Sequence, residues 1–263
     1  MGLAKSNARP DLLAVSLGDP ELAFARTADA LDRSGFAIIE GAITADWLAR
    51  AQADVTGIVA AHDAKFLSLI GPGDEPSSVF AEVAHDPGLT ALLERLVRHA
   101  AASASIDPGG PYNVLRVIAG RSGTAGAYQF HYDASVVTAV VPIFIPENPD
   151  GPAGQLAVLP NRRRLRSSML YNLIEKVALQ NRFSWARARK RVSDNPAAHV
   201  KQLKVGNIYL FWGYRTLHGN LPCGVDALRT TLLLHLGDPH GNALATRVIR
   251  SLRARIEARR RAA

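Results

Sequence analysis

The sequence predicts a mainly β protein with flanking α-helices: a jelly roll or antiparallel barrel in one domain of 263 residues. Three observations predict it. The first hundred residues carry mostly helical spacing. After Asp107-Pro-Gly-Gly-Pro the chain breaks into short β-rich runs separated by glycine and proline turns. A composition of 48% hydrophobic and 21% charged residues is too apolar for a disordered chain.

Residues 1–18 read as an irregular arm. Glu21 to Arg33 is helical, with Leu22, Phe24, Ala25 and Leu31 on its apolar side. Gly35-Phe-Ala-Ile-Ile-Glu is a short strand after a glycine break, and Thr44 caps a helix from Ala45 to about His62. A loop at 71–78 precedes a helix from about Leu89 to Ala104, so 19–104 reads as helical support. Strands are expected at Asn113 to Ala119, Tyr128 to Asp133, Val136 to Ile145 and Gln155 to Leu159. A basic helical insert spans 161–204, and strands resume at Asn207 to Trp212 and Arg229 to Leu236. The β core thus occupies 105–242. Leu244, Val248, Leu252 and Ile256 recur every four residues along a basic amphipathic C-terminal helix, 243–263.

The single cysteine, Cys223, excludes a disulfide framework within the chain and any cysteine-rich metal site; it reads as an inert turn residue. No secretory leader is visible, and the longest uncharged apolar run, Ala134 to Pro146, is too short to span a bilayer. The start also fits a loose N-myristoylation pattern, too short to weigh. A cytoplasmic protein is expected, with a peripheral place on the membrane surface as an extension.

The net charge of +8 is unevenly spread. Residues 162–204 carry a net +10, residues 243–263 a net +6, and the rest a net −8. A basic insert beside a site would attract a small anionic substrate. The basic terminal helix points to contact with an anionic membrane, or else to a solvated face docked on the body. Nucleic acid is disfavoured, since no cluster of stacking aromatics accompanies the charge.

The sharpest local pattern is Phe130-His131-Tyr132-Asp133. On a strand, His131 and Asp133 point to one face and offer an imidazole and a carboxylate to one metal ion. His218, with 84 residues between it and Asp133, supplies a second imidazole. Two histidines and one carboxylate on one face of an octahedral ion leave three positions open, the facial triad of non-haem Fe(II) sites. With ten residues between it and His218, Arg229 opens the next strand, where a buried guanidinium can grip a carboxylate in two-point fashion. Thr231 shares its face.

On these residues the chain resembles the Fe(II)/2-oxoglutarate-dependent dioxygenases, particularly the phytanoyl-CoA dioxygenase-like branch. The likeness takes in Ser34-Gly-Phe-Ala-Ile-Ile-Glu-Gly-Ala-Ile-Thr, the His131/Asp133 segment with Thr138-Ala-Val-Val-Pro-Ile, Gly154-Gln-Leu-Ala-Val-Leu-Pro, His218 and Arg229. It implies a double-stranded β-helix holding Fe(II) through His131, Asp133 and His218. It implies 2-oxoglutarate with its distal carboxylate on Arg229, helped by Thr231 and Thr138, and O2 as co-substrate. Succinate and CO2 would leave, and a substrate C–H would be attacked. Asp133 fills the position that a halogenase leaves vacant for chloride, so hydroxylation is expected over halogenation.

Arg116 and Gln129 are candidate substrate contacts, with Tyr214 and Trp212 near the metal mouth. His235 falls on the Arg229 face but reads as a packed or rim histidine. Two other functions stay open. One is an oxygenase acting on nucleic acid or protein. The other is a non-oxidising metal-binding jelly roll, such as a cupin-like isomerase or a ligand-binding pseudoenzyme.

Overall fold

The computed structural model describes residues 14–62, 66–100, 106, 112–119, 127–147, 153–161, 182–224 and 226–237. The expected basic helix at 243–263 and the first part of the insert lie outside them, as do residues 1–13.

Local chemistry accounts for the helices. The first, α1 (Pro20–Ser34), starts where Asp19 accepts from the amide of Leu22 and Pro20 takes a position that needs no donor. Thr44 caps α2 (Ala45–Ala61) and Ser78 caps α3 (Val79–Ala84) in the same way. The expected fourth helix runs as α4 (Pro87–Ala100). Trp47 of α2 is fully buried, and its indole donates to the carbonyl of Val79, tying α2 to α3.

Two antiparallel sheets form the core. The strands are β1 (Phe36–Ile39), β2 (Leu67–Ile70), β3 (Tyr112–Ala119), β4 (Val137–Phe144), β5 (Leu156–Leu159), β6 (Val200–Lys201), β7 (Ile208–Phe211), β8 (Leu217–Asn220) and β9 (Leu228–Leu236). The major sheet has the order β1-β7-β4-β9-β3-β2, and the minor sheet β6-β5-β8. This is the jelly-roll class with flanking helices that the sequence predicts.

Alternation along β9 divides the fold. Leu232, Leu234 and Leu236 are buried in one apolar cluster with Leu31, Trp47, Leu93 and Leu96 of the helices. Each such buried leucine stabilises the layer by roughly 1.5–3 kcal/mol. Arg229, Thr231, Leu233 and His235 face the other way, into a cavity that also touches the minor sheet. Phe36, Val140, Leu156, Val158, Tyr209 and Phe211 pack between the sheets. The helices therefore hold the major sheet from behind and leave its front face for the site.

One expectation needs correction. Tyr128 to Asp133 is not a strand; it meets β8 at an isolated bridge between His131 and His218 and at a hydrogen bond from the Tyr128 amide to the Asn220 carbonyl. Tyr128 sits at φ 60°, a left-handed conformation that breaks a β ladder. The short strands β2 and β8 and the six-residue helix α3 have too few residues to register as periodic. The insert holds α5 (Arg182–Asp194) and the short α6 (Pro196–His199) within its described part. Among the described residues no helix is long and apolar enough to cross a membrane.

Candidate metal centre

His131, Asp133 and His218 converge although their segments differ in character. His131 and His218 exchange backbone hydrogen bonds across the bridge, at 2.9 and 3.0 Å. Their side chains therefore lie on one face, with ring centroids 4.4 Å apart. Asp133 is held by its own amide, which donates to the carbonyl of Gly213 at 3.1 Å. Gly213 must lack a side chain. A Cβ there would stand 2.6 Å from Thr138 Oγ1 and 3.0 Å from Asp133 Cβ.

One ligand atom from each of the three lies within 4.8 Å of the others. Asp133 Oδ1 is 3.7 Å from His131 Nε2 and 3.6 Å from His218 Nε2. The remaining polar atoms are already engaged. His131 Nδ1 meets the Gln129 carbonyl at 2.9 Å, and His218 Nδ1 meets that of Thr216 at 3.1 Å. A carbonyl accepts only, so both Nδ1 atoms carry the proton and both Nε2 lone pairs turn to the common point. Asp133 Oδ2 accepts from Thr138 Oγ1 at 2.6 Å, which leaves Oδ1 for the same point. The donor set fits a divalent ion that prefers nitrogen and oxygen ligands.

Electrostatics agrees. Burial opposes ionisation of Asp133, but His218, His235, His131 and the Thr138 hydroxyl together hold its carboxyl below the ordinary range. Burial, outweighing the attraction of Asp133, pushes His218 down to about 4, so its ring is neutral near pH 7 and free to coordinate.

His235 belongs to this group, contrary to the packed-residue reading. Its Nδ1 stands 3.1 Å from Thr138 Oγ1, 3.3 Å from Ser135 Oγ and 3.6 Å from Asp133 Oδ2. The register sets His235 of β9 opposite Thr138 of β4. Its six-residue spacing from Arg229 was the sequence signal for this position. Thr138 lines the cavity too, with its hydroxyl engaged on Asp133 rather than on the Arg229 end.

Arg229 is 2% exposed, and among the described residues nothing accepts from its Nε or Nη1. Gly154 makes the room: at φ +66° it takes a left-handed turn, and a Cβ there would lie 2.5 Å from Arg229 Cδ. Arg116 lines the same cavity from β3, opposite Thr231, and its buried Nε has no acceptor either. Burial first, and then each other's charge, pulls Arg229 down to about 10. Burial likewise lowers Arg116, against the pull of Asp133. A buried and a half-buried arginine, each with a buried Nε that no described residue accepts from, mark a place built for an anion. Val140, Leu156, Phe211 and Leu233 supply the apolar part of the wall.

Gln129 and Tyr214 do not line the cavity. Gln129 is exposed and meets the site through its backbone carbonyl, while Tyr214 is buried. Trp212, also expected near the mouth, is buried in the helix-side core against His99.

No protein-family model matches the chain, and no curated protein does. Solved structures do. An iron-bound EctD from S. alaskensis aligns with a TM-score of 0.54 at 18% identity, over 88% of this chain and 82% of its own. The non-heme alpha-ketoglutarate-dependent epimerase SnoN of nogalamycin biosynthesis aligns at 0.53 and 17%, over 84% of each. A prolyl hydroxylase from Trichoplax adhaerens aligns at 0.52 and 15%, over 83% of this chain and 90% of its own. The fold is the one these enzymes share. At such low identity the likeness speaks for the fold alone.

Proposed function

We propose that this chain is a non-haem Fe(II)- and 2-oxoglutarate-dependent oxygenase. One observation carries the reading: a two-histidine, one-carboxylate triad with its ligand atoms turned to one point opens on the same cavity as a buried arginine whose Nε and Nη1 find no acceptor among the described residues. His131, Asp133 and His218 would hold the iron. Arg229 would take the distal carboxylate of 2-oxoglutarate in the room that Gly154 leaves, with Thr231 beside it on the same face. When bound, the metal and its co-substrate supply oxidation by O2, with succinate and CO2 released.

The chain's own groups do the rest. The two Nδ1–H bonds to backbone carbonyls fix which ring nitrogen faces the metal. Thr138 occupies Oδ2 of Asp133, so the carboxylate presents a single oxygen. Asp133 as the third ligand supports hydroxylation over halogenation. The neighbours include hydroxylases, an epimerase and a carbocyclase, so the fold alone does not select the outcome.

The second cation of the cavity, the half-buried Arg116, supports a small anionic or amphiphilic substrate, as does the basic insert. The phytanoyl-CoA dioxygenase-like branch rests on the sequence motifs above. A membrane-side role rests on the basic segment 243–263.

The test is an anaerobic titration of 2-oxoglutarate into the Fe(II)-loaded protein, watching for the visible charge-transfer band of chelation. The band is expected in wild type, absent in His131→Ala and weakened in Arg229→Ala. Folded, iron-bound wild type without a band would move the reading to the non-oxidising metal protein.

A further inference from the structure

His131 is the odd ligand. Its side chain is 32% exposed, against 10% for Asp133 and 8% for His218. It lies on a segment with no strand, which β8 holds by one bridge and one further backbone hydrogen bond, from Tyr128 to Asn220. The residue three positions before it, Tyr128, holds a left-handed φ of 60°. Such a backbone persists only where its surroundings fix it.

The minor sheet supplies part of those surroundings, since the Tyr128 amide donates to the Asn220 carbonyl of β8 at 2.8 Å and Phe130 packs on Ala157 and Leu159 of β5; the basic insert supplies the rest. Trp185 of α5 donates its indole N–H to the carbonyl of Phe130 at 2.8 Å, one residue before His131. Ala188 and Val192, one and two turns along the helix, are buried against Phe130, which is 1% exposed. The Arg189 guanidinium stacks over the Tyr128 ring, 4.3 Å from its centroid. Three contacts from one helix thus clamp 128–130. The Gln129 carbonyl that orients the His131 ring lies inside the clamp.

We propose that α5 is a positioning element for the metal: Trp185 and Arg189 set the backbone that aims His131 Nε2. The inference rests on the reading of His131 as a ligand. The insert then does more than present charge to solvent, because its docking completes the coordination sphere.

The test is titration of Co(II) alone into the full metal-free chain, read by affinity and by the visible ligand-field spectrum. Trp185→Phe keeps an aromatic ring and removes one donor. It is expected to bind Co(II) about ten-fold more weakly, as for loss of an outer partner of a metal ligand, with an altered spectrum. Arg189→Ala is the second variant, on an exposed side chain whose loss leaves folding intact. Lys190→Ala is its control: the same charge is lost from the same helix, where, among the described residues, Lys190 pairs with Asp194. Arg189→Ala should shift affinity and spectrum, and Lys190→Ala should leave both at wild type. Wild-type affinity and spectrum in Trp185→Phe and Arg189→Ala would overturn the proposal and leave the metal site standing. Equal weakening in Arg189→Ala and Lys190→Ala would overturn it in favour of a plain charge effect. Failure of wild type to bind Co(II) would overturn the ligand reading itself.

Discussion

β9 and the segment 127–135 both present groups to one cavity, and they are built on different rules. β9 runs nine residues and is paired along both edges, to β3 and β4. Arg229, Thr231 and His235 get their direction from alternation alone. Segment 127–135 has no strand, and it holds His131 and Asp133 by a bridge, a carbonyl and a helix from the insert. The sheet fixes the anion end by repetition. The metal end is assembled from single contacts, each of which can be removed separately.

The comparison can be sharpened through pH, where the largest effect is expected. His218 falls to about 4 in the folded metal-free chain, against an ordinary value near 6.5. Between those values the unfolded chain binds the extra proton, so stability rises with pH. The contribution is fully present above about 6.5 and is lost as pH falls toward 4, on the order of 3 kcal/mol. Asp133 and His235, both lowered, push in the same direction. Thermal unfolding of the chelator-treated protein across this range should slope accordingly, and His218→Asn should flatten it. A slope unchanged in that variant would break the assignment of the burial penalty to this side.

Next comes Arg229→Met. Loss of a buried charge partner should weaken 2-oxoglutarate binding by about 100-fold. The ligand-free variant should melt higher by about 2–4 °C, because an uncompensated buried cation is gone. Calorimetry and a melting curve read the two halves. A lower melting point in the ligand-free variant would mean the guanidinium is paired at rest. The smallest effect belongs to the link between the regions. Thr138→Val should weaken Fe(II) or Co(II) binding by about ten-fold, and Thr138→Ser should restore it. Equal binding in both variants would remove Thr138 from the metal end.

Legibility in the sequence followed the same division. Long strands with clear alternation, Asn113 to Ala119 and Arg229 to Leu236, could be read directly, as could the capped helices after Asp19 and Thr44. The triad could be read because its chemistry is rare, although the strand invoked to align His131 with Asp133 does not form. A single bridge and one left-handed tyrosine do that work, and neither has a period. His235 was visible on the right face and was discounted, since a lone histidine carries no pattern until the β4 register puts Thr138 opposite it. The pairing of Trp185 with Phe130 joins residues 55 apart through one backbone atom, for which no residue type signals.

The strand order carries a consequence for how the chain assembles. β3 and β4 are consecutive in the major sheet's sequence yet never pair; β9 fills the gap between them. Until that strand arrives, each leaves a hydrogen-bonding edge open, and β1 waits for β7 across some 170 residues. Contacts this distant make for slow folding and a long interval in which exposed edges can recruit other chains. The strand that ends the wait also brings Arg229 and His235. Closure of the sheet and completion of the cavity are thus one kinetic event, and a chain halted before residue 228 lacks both.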